Sequence, residues 1–117
     1  MVEVEEGLIK AMVRGLSRSI ILWLLDGKSI SGYMITKELG RVTGQTFSSG
    51  VVYPLLYELE ERGYITGIWK QRGRRRIKYY SITETGRKML SNISDLLEMP
   101  IREVLKDFLS EGGSPVR

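Results

Sequence analysis

The stretch from Ser48 to Thr83 decides the fold of this 117-residue chain: SSGVVYPLLYELEERGYITGIWKQRGRRRIKYYSIT. Its first part carries apolar residues at i, i+3, i+4 and i+7, the spacing of one helical face. These residues are Val52, Leu55, Leu56 and Leu59. Gly63 follows them, in the place where a left-handed residue commonly ends a helix. Two runs rich in β-branched and aromatic residues, Tyr64–Trp69 and Ile77–Thr83, then predict the two strands of a hairpin.

The predicted hairpin is strongly basic around its turn. From Lys70 to Lys78, six of nine residues are Lys or Arg and none is acidic. The wider segment 62–88 holds nine basic residues against the single acid Glu84, although the whole chain has a net charge of only +4. Such a loop can serve solubility alone. A helix followed directly by a basic hairpin is, however, typical of the winged helix-turn-helix, in which the helix enters the DNA major groove and the hairpin lies along the backbone.

The composition argues against several other classes of protein. An apolar content of 42% and a charged content of 27% are ordinary for one globular domain. The chain has no Cys and no His, which removes disulfides, thiolate metal sites and the commonest general base. We therefore expect no enzyme, no cofactor and no metal. The longest apolar run, Ile20–Leu25, is too short for a membrane span, and the acidic N-terminus is unlike a secretory signal, so the predicted location is the cytoplasm.

Helices are predicted on both sides of the central stretch. They lie at residues 4–13, from Ser17 or Ser19 to Asp26, and from the N-cap Ser31 to Gly40. The central helix either kinks at Pro54 or starts near Tyr53 with Pro54 in its first turn. A last helix is capped by Thr83 and is expected to break near Met99, because Pro100 interrupts its apolar spacing.

The predicted fold is mainly α with a small β-hairpin, an α+β winged helix-turn-helix. The winged domain is assigned to residues 16–83. Helices at 1–15 and 84–110 each carry an apolar stripe outside this domain, so they are predicted to be dimerisation helices. The alternative is that both fold back onto their own domain. Residues 111–117 are predicted to be a disordered tail.

Several aromatic side chains can be assigned from their spacing. Tyr80 is in register with Ile82 and is predicted to face the core. Tyr53 lies off the apolar stripe, so its hydroxyl is expected to reach a phosphate, with a partly buried core tyrosine as the alternative. Packing roles are predicted for Tyr33, Trp23 and Trp69.

The motifs together resemble the PadR family of transcriptional regulators. Gly32-Tyr33 opens the second helix of the motif. Tyr-Pro-Leu-Leu and Leu-Glu-x-x-Gly lie within Ser48–Ile65, and Tyr-Tyr-x-hydrophobic-Thr followed by an acidic residue and Gly lies within Lys78–Leu90. Their order and spacing agree over roughly residues 16–90. Two positions differ from the family pattern: Ser31 stands where a His is common, and Pro100 interrupts the last helix.

The resemblance implies a dimeric repressor that binds a palindromic operator in double-stranded DNA. The DNA-facing positions it implies are Ser48, Ser49, Gly50 and Tyr53 in the recognition helix, and Arg72, Arg74, Arg75, Arg76 and Lys78 in the wing. Some relatives bind flat aromatic compounds at the dimer centre. A hydrophobic or aromatic small molecule is therefore a candidate effector, with candidate contacts at Met12, Trp23 and Met89.

Two functions stay open at this point. One is a sequence-specific DNA-binding regulator, and the other is a non-enzymatic architectural or RNA-binding winged-helix protein. Only the first needs a helix that reads bases. The central helix has no Arg, Asn or Gln between Ser48 and Glu61, so readout of DNA shape is the expected route to specificity.

Overall fold

The computed structural model describes residues 6–99 and 101–110, which form five helices and a three-stranded antiparallel sheet. The helices are α1 (Glu6–Leu24), α2 (Gly32–Thr43), α3 (Ser49–Glu61), α4 (Glu84–Glu98) and α5 (Ile101–Leu109). The strands are β1 (Ser29–Ser31), β2 (Ile65–Arg72) and β3 (Arg75–Ile82), in the order β1-β3-β2. This is the predicted α+β winged helix-turn-helix. Within the two described ranges, no helix is long and apolar enough to cross a membrane.

The two helices predicted before the helix-turn-helix are a single helix. The predicted break between residues 13 and 17 is wrong, because α1 runs through Gly15 without interruption. A glycine inside a helix costs only about 1 kcal/mol. The Ser17 hydroxyl donates to the carbonyl of Val13 (2.8 Å) in the same helix, so it does not cap a new one. The first half of α1 is therefore continuous with the half that enters the core; the predicted start at Val4 lies outside the described residues.

Helix α2 begins where the sequence predicts and ends later. Ser31 is its N-cap, and its Oγ accepts a hydrogen bond from the backbone N–H of Met34 (3.2 Å). The predicted end at Gly40 is wrong, because the helix continues to Thr43 and is closed by Gly44. Gly40 sits in the helix with its carbonyl accepting from the Gly44 N–H (2.9 Å).

Helix α3 contains Pro54 in its interior. The helix begins at Ser49, which excludes the alternative start near Tyr53. The proline has no N–H to donate to the carbonyl of Gly50, four positions earlier, and its ring crowds that carbonyl, yet the helix continues through it to Glu61. At the other end, Gly63 has a φ of 76°, and the Tyr64 N–H donates to the carbonyl of Leu59 (2.9 Å). Gly63 therefore ends the helix as predicted and turns the chain into β2.

The wing, defined here as the hairpin Ile65–Ile82, has longer strands and a shorter turn than predicted. Its turn consists of Gly73 and Arg74, with Gly73 at a φ of 62°. A left-handed glycine at the first of two turn residues matches the twist of a hairpin. Most of the basic segment expected in a loop therefore lies on paired strands, where register fixes the direction of each side chain.

Strand β1 is missing from the sequence-based prediction, because three residues are too few to show an alternating pattern. It pairs with β3 on the side away from β2, with Ile30 opposite Tyr80. Tyr80 is buried, as predicted.

The core lies where α1, α2 and α3 meet the base of the wing. Its fully buried members include Ile21, Leu25, Ile35, Leu39, Leu56 and Ile65. The packing roles predicted for Tyr33, Trp23 and Trp69 are wrong: these side chains are 66%, 58% and 54% exposed. Tyr33 and Trp23 lie on the exposed sides of α2 and α1, whose buried faces are aliphatic. Trp69 lies on the core-side face of the wing, but beyond the base of the hairpin that the core covers.

The C-terminal helices confirm the expected break. The Thr83 hydroxyl caps α4 by accepting from the Gly86 N–H (3.0 Å). Helix α4 ends at Glu98, Met99 is extended, and α5 starts at Ile101. The tail predicted at 111–117 lies outside the described residues.

Candidate nucleic-acid interface

The exposed face of α3 is made of small and aromatic residues. The exposed positions recur at helical spacing along one side. They are Gly50, Tyr53, Pro54, Tyr57 and Glu61. From Ser49 to Tyr57 the helix carries no charge at all. A polyanion can therefore approach its first two turns without meeting a carboxylate.

The start of α3 offers unpaired hydrogen-bond donors. Ser48 is extended at the N-cap position, and its carbonyl accepts from the N–H groups of Val51 (3.1 Å) and Val52 (3.2 Å). Within the described chain its hydroxyl caps none of the helix amides, so it is left exposed for another acceptor. Small side chains and N–H groups at a helix N-terminus suit a phosphate oxygen.

Tyr53 lies between α2 and the wing. Its hydroxyl is close to Gly32, where an added Cβ would come within 2.6 Å of the phenolic oxygen. Residue 32 therefore has to be glycine if the Tyr53 ring is to lie against α2. Tyr53 is half-exposed, with its hydroxyl against Gly32.

An open groove of about 430 Å³ runs between the starts of α2 and α3 and the inner face of the wing. Aromatic and basic side chains alternate around it. Its walls include Tyr33, Tyr53, Trp69, Arg75, Arg76 and Lys78. Of the predicted DNA-facing residues, the groove brings together Tyr53, Arg75, Arg76 and Lys78. The others do not line it: Ser48, Ser49, Gly50, Arg72 and Arg74.

The wing divides its cations between two faces. Pairing of Gly67 with Tyr80 and of Trp69 with Lys78 puts these residues, together with Arg76, on the face that bears buried Tyr80. There the Arg76 guanidinium lies 5.3 Å from the centre of the Trp69 ring. Such a cation–π contact holds an exposed arginine in place while its charge stays available.

The outer face holds a second set around Tyr79. Arg72 donates from Nε to the Tyr79 hydroxyl (3.1 Å), and the Lys70 ammonium lies 5.7 Å from the ring centre. Arg72 and Arg75 are cross-strand partners next to the turn that contains Arg74. Like charges directly opposite each other are destabilising in an isolated hairpin. A bound anion at the tip would remove that repulsion.

Lys78 has an acidic partner, unlike the other cations in the described strands of the wing. Its Nζ lies 2.9 Å from Oε1 of Glu60, in the last turn of α3, and each side chain is about one-third exposed or less. The hydrogen bond with Glu60 raises the pKa of Lys78 above its ordinary value.

A second ion pair joins α3 to α1. The Arg18 guanidinium binds both carboxylate oxygens of Glu58, with Nη2 at 3.2 Å from Oε1. This bidentate contact raises the pKa of Arg18 and lowers that of Glu58. Glu58 and Glu60 thus attach α3 to the elements on its two sides, and both acidic groups are compensated by a neighbouring cation.

Sequence reasoning missed two residues at this interface. Tyr57 is exposed one turn beyond Tyr53 on the same face of α3. Trp69 was predicted to pack but stands in the groove beside Arg76 and Lys78. The spacing of four between the two tyrosines is a signal that could have identified Tyr57, whereas the position of Trp69 depends on the hairpin register.

A second surface, on the other helices, is apolar. The exposed apolar residues of α1, α4 and α5 form what we call the outer apolar surface. Its members are Leu8, Met12, Leu16, Trp23, Leu96, Leu97, Val104, Leu105, Phe108 and Leu109. A groove of about 460 Å³ opens between α1 and α4 on this side, lined by Leu16, Trp23, Leu90 and Leu97 among others. Of the three expected effector contacts, Trp23 lines the groove, Met12 is exposed elsewhere on α1 and Met89 packs against the core.

Comparison with known proteins places the chain in a family. Residues 21–92 match the transcriptional regulator PadR-like family. A comparison with curated proteins found no match. A PadR-like transcriptional regulator from Bacillus cereus is 25% identical, with a TM-score of 0.75 over 86% of this chain and 99% of that one. A transcriptional regulator from Clostridium thermocellum is 26% identical, with a TM-score of 0.71 over 92% of this chain and 100% of that one.

A third similar structure contains nucleic acid. PadR from Bacillus subtilis, in complex with operator DNA, is 30% identical, with a TM-score of 0.58 over 66% of this chain and 45% of that longer chain. The family match covers the helix-turn-helix, the wing and most of α4, more than half of the sequence. The chain therefore belongs to the PadR-like family of transcriptional regulators.

Proposed function

We propose that this protein is a dimeric repressor that binds a palindromic operator in double-stranded DNA. Helix α3 enters the major groove with its uncharged first two turns, through Ser48, Ser49, Gly50 and Tyr53. The wing lies along the backbone, where Arg72, Arg74, Arg75 and Arg76 meet phosphates. The observation that carries the proposal is the groove that the start of α3 shares with Arg75 and Arg76 of the wing, next to a hairpin tip that also carries Arg72 and Arg74.

The geometry of α3 favours double-stranded DNA over RNA as the ligand. The first turn of α3 has small, uncharged side chains, so the helix fits the wide major groove of DNA. The major groove of an RNA duplex is too narrow for a helix. The complex of Bacillus subtilis PadR with operator DNA supports the same ligand. Because the protein acts on DNA, we place it in the cytoplasm.

Specificity is proposed to come mainly from DNA shape. The exposed face of α3 offers two tyrosine hydroxyls and lacks the amide and guanidinium groups that read base edges in pairs. The sequence-dependent width and bending of the DNA would then decide how well α3 and the wing reach the backbone together.

Assembly is the third part of the proposal. The outer apolar surface is too extensive to leave in water, and a second copy of the chain would cover it. The groove beside Trp23 would then lie at the dimer centre, where we propose that a hydrophobic or aromatic small molecule acts as an effector. Titrating aromatic compounds against tryptophan fluorescence tests this last step, and a Trp23→Phe variant separates the response of Trp23 from that of Trp69.

Footprinting on genomic DNA, starting with the promoter of the protein's own gene, tests the main proposal. We expect a protected palindrome whose half-sites lie about one helical turn (~34 Å) or a multiple apart. Ser49→Glu should abolish protection and leave the fold intact, because a glutamate is tolerated in the first turn of a helix but repels phosphate. Equal affinity for all DNA sequences would favour the architectural alternative, and tighter binding to RNA would favour the RNA-binding one.

A further inference from the structure

Glu60 holds the wing at two points. Its Oε1 lies 2.9 Å from Nζ of Lys78, and its Oε2 accepts a hydrogen bond from the backbone N–H of Gly67 (3.3 Å). Lys78 belongs to β3 and Gly67 to β2, so one carboxylate on α3 is bonded to both strands of the hairpin.

The absence of a side chain at position 67 makes this contact possible. Lys78 reaches Glu60 by crossing over Gly67, and a Cβ added to Gly67 would overlap Cε of Lys78. The Lys78 ammonium also lies 5.1 Å from the centre of the buried Tyr80 ring. Since the side chains of Lys78 and Glu60 are only 25% and 32% exposed, water screens the pair less than it screens the arginines at the tip.

We propose that Glu60, Gly67 and Lys78 form a brace that fixes the wing against the recognition helix, and that Lys78 acts on DNA through this brace and does not itself bind phosphate. The inference rests on the proposed DNA-binding function and revises the role expected for one residue in it. Lys78 is a positioning residue for the arginines at the tip.

Two geometric arguments favour the brace over a phosphate contact. Arg75 is three residues from Lys78 on the same strand, so the anchored point lies only ~10 Å from the tip. A hairpin held there cannot swing its arginines away from α3. Binding of Lys78 to a phosphate would also require it to leave Glu60, and a partly buried carboxylate would then face the DNA without its cation.

The experiment compares salt dependence of DNA binding for Lys78→Met and for Arg75→Gln, its matched control at an exposed position of the same strand. Arg75→Gln should lower the slope of log affinity against log salt by about 0.9, the value for one phosphate that the protein no longer neutralises. Lys78→Met should weaken binding by up to about fivefold with an unchanged slope. Gly67→Ala should match Lys78→Met, because the new methyl group displaces the lysine stem while both charges remain in the protein. A fall of about 0.9 in the slope of Lys78→Met would overturn the proposal.

A charge exchange and a measurement without DNA complete the test. Glu60→Lys combined with Lys78→Glu should bind DNA more tightly than either single variant, whereas a glutamate replacing a true phosphate ligand would not recover binding. In the free protein, Lys78→Met and Glu60→Gln should speed amide hydrogen exchange in β2 and β3. Unchanged exchange would refute the brace. If the wild-type protein shows no salt-dependent affinity for DNA, the proposed function fails, and hydrogen exchange alone still decides whether the brace exists.

Discussion

Gly86 decides how closely α4 packs against the base of the wing. The glycine is buried in the first turn of α4, and its N–H donates to the hydroxyl of Thr83. A Cβ at this position would overlap the backbone carbonyl oxygen of Tyr64 and approach Cγ1 of Ile82 to 2.7 Å. That carbonyl accepts a hydrogen bond from the Thr83 N–H (3.0 Å), so it cannot move without breaking the bond.

Gly86→Ala should therefore destabilise the fold, although alanine is the better helix former. Forcing a methyl group into a packed backbone contact costs about 1–3 kcal/mol or more. Urea unfolding measures the change. Gly50→Ala is the matched control, since its added Cβ meets Ser48 Oγ at an ordinary 3.7 Å and should leave stability equal or slightly raised. A Gly86→Ala protein as stable as Gly50→Ala would show that α4 can shift away from the hairpin.

At the scale of elements, ion pairs formed by two of its acidic residues hold α3 from both sides. Glu58 binds Arg18 of α1, and Glu60 binds Lys78 of the wing. The first of these ion pairs links the recognition helix to the helix that carries part of the outer apolar surface. The bidentate pair thus adds to the core packing that fixes α1 relative to α3.

The free energy of unfolding should depend on pH because Glu58 is paired with Arg18 in the folded protein. Its pKa is lowered from the ordinary value of 4.5, mainly by the hydrogen bond from Arg18. A lowered pKa in the folded state means that the stabilisation is present above the ordinary value and disappears as the pH falls below it. The difference in unfolding free energy between wild type and Glu58→Gln should be largest near pH ~7 and should close toward pH ~3. Glu61→Gln, at an exposed position in the same helix, is the control for the loss of a surface carboxylate. A difference between wild type and Glu58→Gln that stays constant with pH would contradict the role of the pair.

The arginines of the wing should determine how strongly DNA affinity depends on salt. Replacing Arg74, Arg75 and Arg76 with Ala should weaken binding to all DNA sequences alike, because phosphate contacts carry no base information. The slope of log affinity against log salt should fall by roughly 0.9 for each phosphate that is no longer neutralised. Electrophoretic mobility shift at several salt concentrations measures it. Lys106→Ala, which removes a charge from α5, should leave the slope unchanged; an unchanged slope in the triple variant would place the DNA elsewhere.

Sequence periodicity predicted α3, the hairpin and α4 because each has a clear period of its own. It could not predict that α1 is continuous, since the same apolar residues fit a broken and an unbroken helix, and the ion pair of Arg18 with Glu58 spans 40 positions. The residue types of the candidate site, small at the start of α3 and basic in the wing, could also be predicted from the sequence. The faces of Arg76 and Trp69 could not, because moving the hairpin turn by one residue reverses the direction of every side chain.

At the scale of the whole molecule, the two surfaces of the protein have opposite character. One surface is basic and includes the groove shared by Tyr53 of α3 with Arg75 and Arg76 of the wing, and the other consists of the exposed aliphatic and aromatic residues of α1, α4 and α5. The unbroken α1 passes from the outer apolar surface into the core. In a dimer joined through that surface, α1 would connect the interface to the DNA-binding part of the domain without a flexible joint. The interface would therefore fix the distance between the two copies of α3.

We predict that the chain is a two-fold symmetric homodimer joined through the outer apolar surface. Covering this surface on both copies can bury on the order of 2,000 Å² or more, the size of an obligate interface. Sedimentation or light scattering at micromolar concentration should give twice the chain mass of 13.4 kDa. Leu97→Glu and Phe108→Glu should each shift the mass toward the monomer and lower affinity for a palindromic site, because a separated monomer can hold only one half-site. Ile68→Glu, at an exposed apolar position on the outer face of the wing, should leave the mass unchanged. A wild-type protein with the mass of one chain would mean that these helices stay uncovered in solution, and the pairing of half-sites would then have to be imposed by the DNA.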